Sequence, residues 1–227
     1  MTTSVPAASV PPPSDPPATA PPATARRGSD AFVAHVHHLC QSTQARAALR
    51  RGLGLPVERC NTMHRYLVPW LRDHDDPHHA DVRRAYYAVA SLIAARPRAA
   101  RDTVPDHAGI SWFQRPNLGA SLGQGVAAKV MKGNSAESSL HLMTRQSADA
   151  IHPSLPALIR QLQSSGIAVD WAVLLEDLAW FNRSRDRIAT RWLEDYFRTS
   201  TRTTDPDTGI PTGADPAHAD LAEENDR

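Results

Sequence analysis

The sequence predicts an all-α protein of two small helical bundles between disordered N- and C-terminal tails. Three observations lead there. Apolar residues recur with a helical period along the chain's middle, no useful stretch alternates with period two, and the residues between stripes suit helix ends. Phe32, Val36, Leu39 and Cys40 make the first stripe, and Cys60, Met63, Leu67, Trp70 and Leu71 the second. Val82, Tyr86, Val89 and Ile93 follow, then Leu118, Leu122, Val126 and Val130. Leu155, Leu158, Ile159 and Leu162 form another, with Leu174, Leu178 and Phe181, then Ile188, Trp192 and Tyr196, completing the series. Asp170 precedes Trp171-Ala172-Val173, where its carboxylate caps free amides, and Val169 and Leu174 are spaced as a staple across that cap. Pro156 suits a first turn and Gly166 a helix end. Lys132-Gly133 reads as the close of the helix begun at Leu118.

Composition sets the outer limits. Residues 1–25 hold eight prolines, which fix φ and lack the amide donor, so an extended, solvated tail is expected. Residues 203–227 are acidic and poor in large apolar groups, and disorder is expected there too. The folded body divides into an N-terminal bundle over 26–116 and a C-terminal bundle over 117–202, with the proline-bearing stretch 97–116 as the loop between them. The 227-residue chain has a formal net charge of only +1, but its charge is unevenly placed. The head carries −1, residues 26–202 carry +8, and the tail carries −6. A basic body points to a polyanion, nucleic acid above all, and the acidic tail reads as a shield for it. No apolar run reaches the roughly 18–20 residues that span a bilayer, and the start lacks the pattern of a secretory signal. Cys40 and Cys60 read as small buried hydrophobes in a reducing cytoplasm.

Catalytic chemistry finds little support. There is no phosphate-binding G-x-x-x-x-G-K-[ST], and the glycines of Gly119–Gly125 follow no strand, so close helix packing is the better account. The stretch Asp73–Asp81, with adjacent His74 and Asp75, is the strongest metal candidate, ahead of Cys60 and His64 as half a zinc site. A helical metal-dependent phosphohydrolase would need further ligands from other helices, such as His64 or His107; a polar interhelix loop is the simpler reading. Cys60 and His64, one helical turn apart, read as a buried thiol and its neighbour rather than a nucleophile and base. His35, His37 and His38 read as partly solvated. No cofactor is expected.

The basic residues are the remaining signal. Arg46 and Arg50 lie one turn apart, and Arg51-Gly52 closes that helix. Lys129 and Lys132 face one way near a helix end, and Arg145 and Arg160 are isolated cations. Arg183, Arg185 and Arg187 crowd a turn and the helix start after it, where the dipole disfavours cations, so a phosphate track would offset the cost. A local alternative exists for Arg191, four residues before Asp195, and for Arg98, four before Asp102: surface ion pairs. These ten cations, Arg46 to Arg187, make a candidate nucleic-acid surface; a helical adaptor with a sequence-selective recognition helix is the other binding alternative.

Read in order, several short pieces resemble the CasB family, the small subunit of the type I-E CRISPR surveillance complex Cascade. They are Ala47–Gly52, His64–Leu67, Asn117–Gly123, Leu155–Ile159, Ser165–Trp171, Asp177-Leu178 and Trp192–Arg198, within about 30–198. The resemblance implies a non-catalytic, two-bundle helical protein, present as two copies head to tail against the backbone subunits that hold the guide RNA. It further implies basic surfaces that hold target DNA and the displaced strand of the R-loop, with guide RNA contacted only indirectly. Arg50, Arg51, Lys129, Lys132 and Arg145 fall where the family carries cations. Glu137-Ser138-Ser139-Leu140 departs from the family, whose members often carry consecutive arginines there.

Overall fold

The computed structural model describes residues 28–71, 79–96 and 110–201. The stretches 1–25 and 203–227, the His74-Asp75 pair, His107 and the Arg98–Asp102 pair lie outside the described residues. Among the described residues every regular element is helical: α1 (Gly28–Leu39), α2 (Thr43–Arg50), α3 (His64–Leu67), α4 (His79–Ala95), α5 (Leu118–Ala127), α6 (Gly133–Arg145), α7 (Ala148–Ile151), α8 (Leu155–Ser164) and α9 (Trp171–Thr201). No described helix is long and apolar enough to cross a membrane.

The stripes bury as their spacing requires. Phe32 and Val36 of α1, Leu118 and Leu122 of α5, and Leu155 and Leu162 of α8 are all fully enclosed. The last two stripes lie on the two helical arms of α9, whose 31 residues are divided by a kink. The kink is at Ser184, where φ −133° and ψ 32° leave the helical region. Helices α5, α4, α1 and α6 pack on α9, so residues on both sides of position 116 enter one continuous core. Phe181 and Trp192 lie in it without exposure. Burying side chains of this kind stabilises by roughly 1.5–3 kcal/mol each.

Two expectations need correction. The stripe from Cys60 to Leu71 does not form a regular helix. It follows a 3₁₀ turn (Val57–Arg59) and breaks into α3 and a second 3₁₀ turn (Val68–Trp70). Pro69 lies in that second turn and has no amide to continue a helical ladder. Cys60, Met63 and Leu67 still reach the core. The helix begun at Leu118 ends at Ala127, short of Lys132-Gly133, and leaves Val130 exposed. Its chain reverses at Lys129, which takes a left-handed φ of 57°, while the amides of Val130 and Met131 both donate to the Gly125 carbonyl at 3.0 and 3.1 Å.

Asp170 caps α9 as its position predicts, accepting from the amides of Ala172 and Val173, each at 3.1 Å. It does more than cap. The buried Arg115 guanidinium forks onto it at 2.6 and 2.8 Å and donates from its third nitrogen to Asp30 at 2.9 and 3.0 Å. The start of α1, the start of α9 and the segment before α5 are thereby tied at one point. Burial works against the charge on Arg115, and the two carboxylates more than offset it.

Candidate nucleic-acid interface

The ten candidate cations do not share one environment. Arg46 faces inward from α2: its Nε donates to the Ala94 carbonyl at 3.1 Å and an Nη to the Arg96 carbonyl at 3.3 Å, satisfying the end of α4. Arg50, Arg51, Lys129, Lys132, Arg145, Arg160, Arg183, Arg185 and Arg187 are exposed. The only carboxylate paired with any of these nine among the described residues is Asp186, at 3.8 Å from Arg185. Such a pair contributes little in water.

The carboxylates pair instead with other arginines. Arg84 binds Asp149, and Arg198 binds Asp195. Arg191 does not take the Asp195 predicted for it. It reaches across the bend of α9 to Asp177, whose other oxygen accepts the Trp192 indole N–H at 2.7 Å. Burial pushes the Asp177 carboxyl up to about 6, against the pull of Arg191 and the indole. Asp195 also accepts from Asn117, the residue that caps α5 through its bond to the Ala120 amide. Acid groups near the core are thus used for construction, while nine of the ten candidate cations stay exposed.

The elements gather these cations in three places. Gly54, in the turn after α2, comes against Pro156 at the start of α8, so the Arg50-Arg51 end of α2 neighbours the helix carrying Arg160. Arg145 ends α6, and three residues later the Ala148 amide donates to Asn182 beside the α9 bend, next to Arg183. Lys129 and Lys132 occupy the turn between α5 and α6, where the Tyr196 hydroxyl of α9 donates to the Gly133 carbonyl. The second and third places are the two ends of α6, separated by about 18 Å of helical rise.

Helix ends sharpen the picture. Lys132 stands at the N-cap of α6, not in a last turn, so the dipole there disfavours its charge. Arg183, Arg185 and Arg187 lie around the kink at Ser184, where two helical arms of α9 meet, so the break and the helix start after it fall where the sequence places them. Arg185 and Arg187 enter the second arm at its start, again the disfavoured end. Sequence reasoning passed over Arg59 and Arg65, exposed cations of the 57–71 segment; their isolation along the chain hid them. It also passed over Arg115, whose partners are 55 and 85 residues away.

Among the described residues no three His, Cys, Asp or Glu side chains group to hold a metal. The Cys60 thiol is pushed up by burial and by Glu58, which disfavours the thiolate. Its sulfur faces the Pro56 carbonyl at 3.3 Å. His64 shares a 2.6 Å hydrogen bond with the Tyr87 hydroxyl. Burial, and the nearby charge of Arg96 and Arg84 respectively, hold His37 and His152 down to about 4, so both rings are neutral at pH 7.

Comparison with known proteins agrees with the sequence resemblance. The family model for CRISPR-associated protein Cse2 matches residues 45–197. A chain of a solved CRISPR RNA-guided surveillance complex is 39% identical, with a TM-score of 0.67 over 78% of this chain and 96% of that one. A chain of such a complex in a pre-nicking state is 40% identical over the same shares, also with a TM-score of 0.67. CasB of M. ruber shares the fold at 24% identity and a TM-score of 0.63, over 78% of this chain and 96% of that one. Curated proteins give no match. The chain belongs to the CRISPR-associated Cse2 family, also called CasB.

Proposed function

We propose that this chain is a non-catalytic subunit of a type I-E CRISPR RNA-guided surveillance complex, and that its exposed cations hold nucleic-acid backbone while an R-loop is open. The observation that carries the reading is the division of charge within a Cse2-family fold. Arg84, Arg115, Arg191 and Arg198 take carboxylates, and nine other cations, all exposed, are left with one loose acidic neighbour among the described residues. Arginine's planar fork suits phosphate oxygens, and such contacts are blind to sequence. Exchange of a DNA duplex for a guide–target heteroduplex is nearly balanced in energy, so modest backbone contacts suffice to prolong it.

The partners in this reading are the other subunits of the complex, including those along the guide RNA, a second copy of the chain arranged head to tail, the target strand and the displaced strand. Guide RNA is contacted indirectly, the setting is the cytoplasm, and no membrane or cofactor is involved. The partition into 26–116 and 117–202 belongs to the same proposal, as does the shielding role of the acidic residues 203–227.

The test is charge reversal in a reconstituted complex, with Arg50→Glu, Arg51→Glu, Arg183→Glu and Arg185→Glu combined. Each loses a phosphate contact and adds a repulsion, so R-loop lifetime is expected to fall about tenfold or more. An unchanged lifetime, with the subunit still incorporated, would remove these residues from the interface.

A further inference from the structure

The chain's only two lysines, Lys129 and Lys132, share the turn between α5 and α6. Backbone geometry argues against a side chain at one, and the helix dipole against a cation at the other. Lys129 takes the left-handed position that ends α5: its amide donates to the Val126 carbonyl at 2.9 Å, and the Val130 amide to the Gly125 carbonyl at 3.0 Å. Glycine fills that position without strain, and a residue with a side chain does not. Lys132 stands at the positive end of α6. Both are exposed, and neither meets a carboxylate among the described residues. Two cations kept where local structure disfavours them call for an anion.

The fold delivers one to this turn. Helix α5 and the second arm of α9 run in the same direction: Gly119 abuts Trp192, and Gly123, one turn on, abuts Tyr196, Thr199 and Ser200. Both helices therefore end on the same side of the protein, α5 at Ala127 and α9 at Thr201. The Tyr196 hydroxyl donates to the Gly133 carbonyl at 3.1 Å, which fixes the far side of the turn against α9. The sequence after Thr201 is acidic: 203–227 hold seven carboxylates and one arginine. Asp205 comes four residues beyond Thr201, and four residues of extended chain span at most about 14 Å. Arg185, at the start of the second arm, is about 24 Å of helical rise from Thr201. The acidic stretch is thus tethered at the lysine turn, at an effective concentration on the order of millimolar.

We infer that the acidic stretch led by Asp205 and Asp207 rests on Lys129 and Lys132 when no nucleic acid is bound, and that phosphates must displace it to reach them. The inference rests on the backbone-holding role proposed above and deepens it, by assigning the shielding to one of the three cationic places. The stretch is an internal competitor. It lowers affinity for stray nucleic acid and yields to a strand that the other two places already hold.

Carbodiimide coupling of the full chain tests the docking directly, because it joins a carboxylate to an amine in contact with it, and the chain has two lysines. Mass spectrometry is expected to map links from Lys129 or Lys132 to Asp205 or Asp207, and saturating oligothymidine to reduce them about fivefold or more. Mixing unlabelled and isotope-labelled chains separates links within one chain from links between copies. No such links, or links between copies only, would overturn the docking. Links that bound oligothymidine leaves unchanged would overturn the competition. A second arm measures oligothymidine affinity with the seven Asp and Glu residues of 203–227 changed to Asn and Gln. Affinity is expected to rise about fivefold, but less than about twofold when Lys129→Gln and Lys132→Gln are also present. Circular dichroism verifies that every variant is folded. An equal rise in both backgrounds would show general repulsion, overturning the docking at this turn and leaving the backbone reading standing. No binding of oligothymidine by any variant would overturn the backbone reading and the competition with it, and the links alone would then decide the docking.

Discussion

Arg115→Ala is expected to lower the unfolding free energy by about 3–5 kcal/mol, the range for removing one member of a buried ion pair. The Asp170 carboxylate is 3% exposed and loses both nitrogens of the fork. Its two cap bonds to Ala172 and Val173 remain, but they were already made. Asp30 loses its partner as well, and with it the tie between α1 and α9. Arg115→Lys is expected to recover only part of the loss, because an ammonium ion offers no planar fork to two carboxylates at once. Urea unfolding followed by far-ultraviolet circular dichroism measures both. A change below 1 kcal/mol in the alanine variant would show that the three segments hold together without this link.

Gly119→Ala should be of similar severity for a different reason. A Cβ on Gly119 would lie 1.8 Å from the Trp192 carbonyl oxygen and 2.6 Å from its carbon. These are backbone atoms of α9, so no side chain can swing aside. Helices α5 and α9 would have to separate, and Trp192 would have to shift in a core that also holds Phe181 at a ring-centroid distance of 5.4 Å. Overpacking of a tight core costs roughly 1–3 kcal/mol, and a clash against backbone belongs at or above the upper end. Gly28→Ala is the control: nothing lies within 4 Å of its added methyl group, and the effect is expected to stay within about 0.5 kcal/mol. Equal melting temperatures for the two variants would contradict the close approach of α5 to α9.

The same residues show how far the sequence could be read. Helical stripes are local patterns, so Val36, Leu122, Leu162 and Trp192 could be assigned to buried faces from spacing alone. The cap at Asp170 was equally visible, since capping joins residues two or three positions apart. What failed was continuity. The two stripes around Ser184 fall on two helical arms that meet at a kink, but the stripe ending at Val130 outran its helix by a turn. Backbone reversal at Lys129, a residue with no turn propensity of its own, is set by how α5 and α6 pack. The site was legible as a class of residue more than as a surface. An arginine does not announce whether it will meet water or a carboxylate. Arg46 closes the end of α4 and Arg191 turns to Asp177, 14 residues back, in preference to the acid four residues ahead. Arg115 is joined across the fold to partners too distant in sequence for any spacing rule. The glycines near 119 were read as close helix packing, and the Trp192 backbone is what Gly119 approaches.

The salt dependence of DNA binding by the full chain tests the central claim most directly. If exposed cations hold phosphates, the logarithm of affinity falls linearly with the logarithm of salt concentration, and equally for unrelated sequences. Each contact contributes about 0.7 to the slope on a single strand and about 0.9 on a duplex. Combining Arg50→Gln, Arg145→Gln, Arg160→Gln and Arg187→Gln is then expected to reduce the slope on a single strand by up to about three. A flat salt response, or a slope that the four substitutions leave intact, would contradict the account.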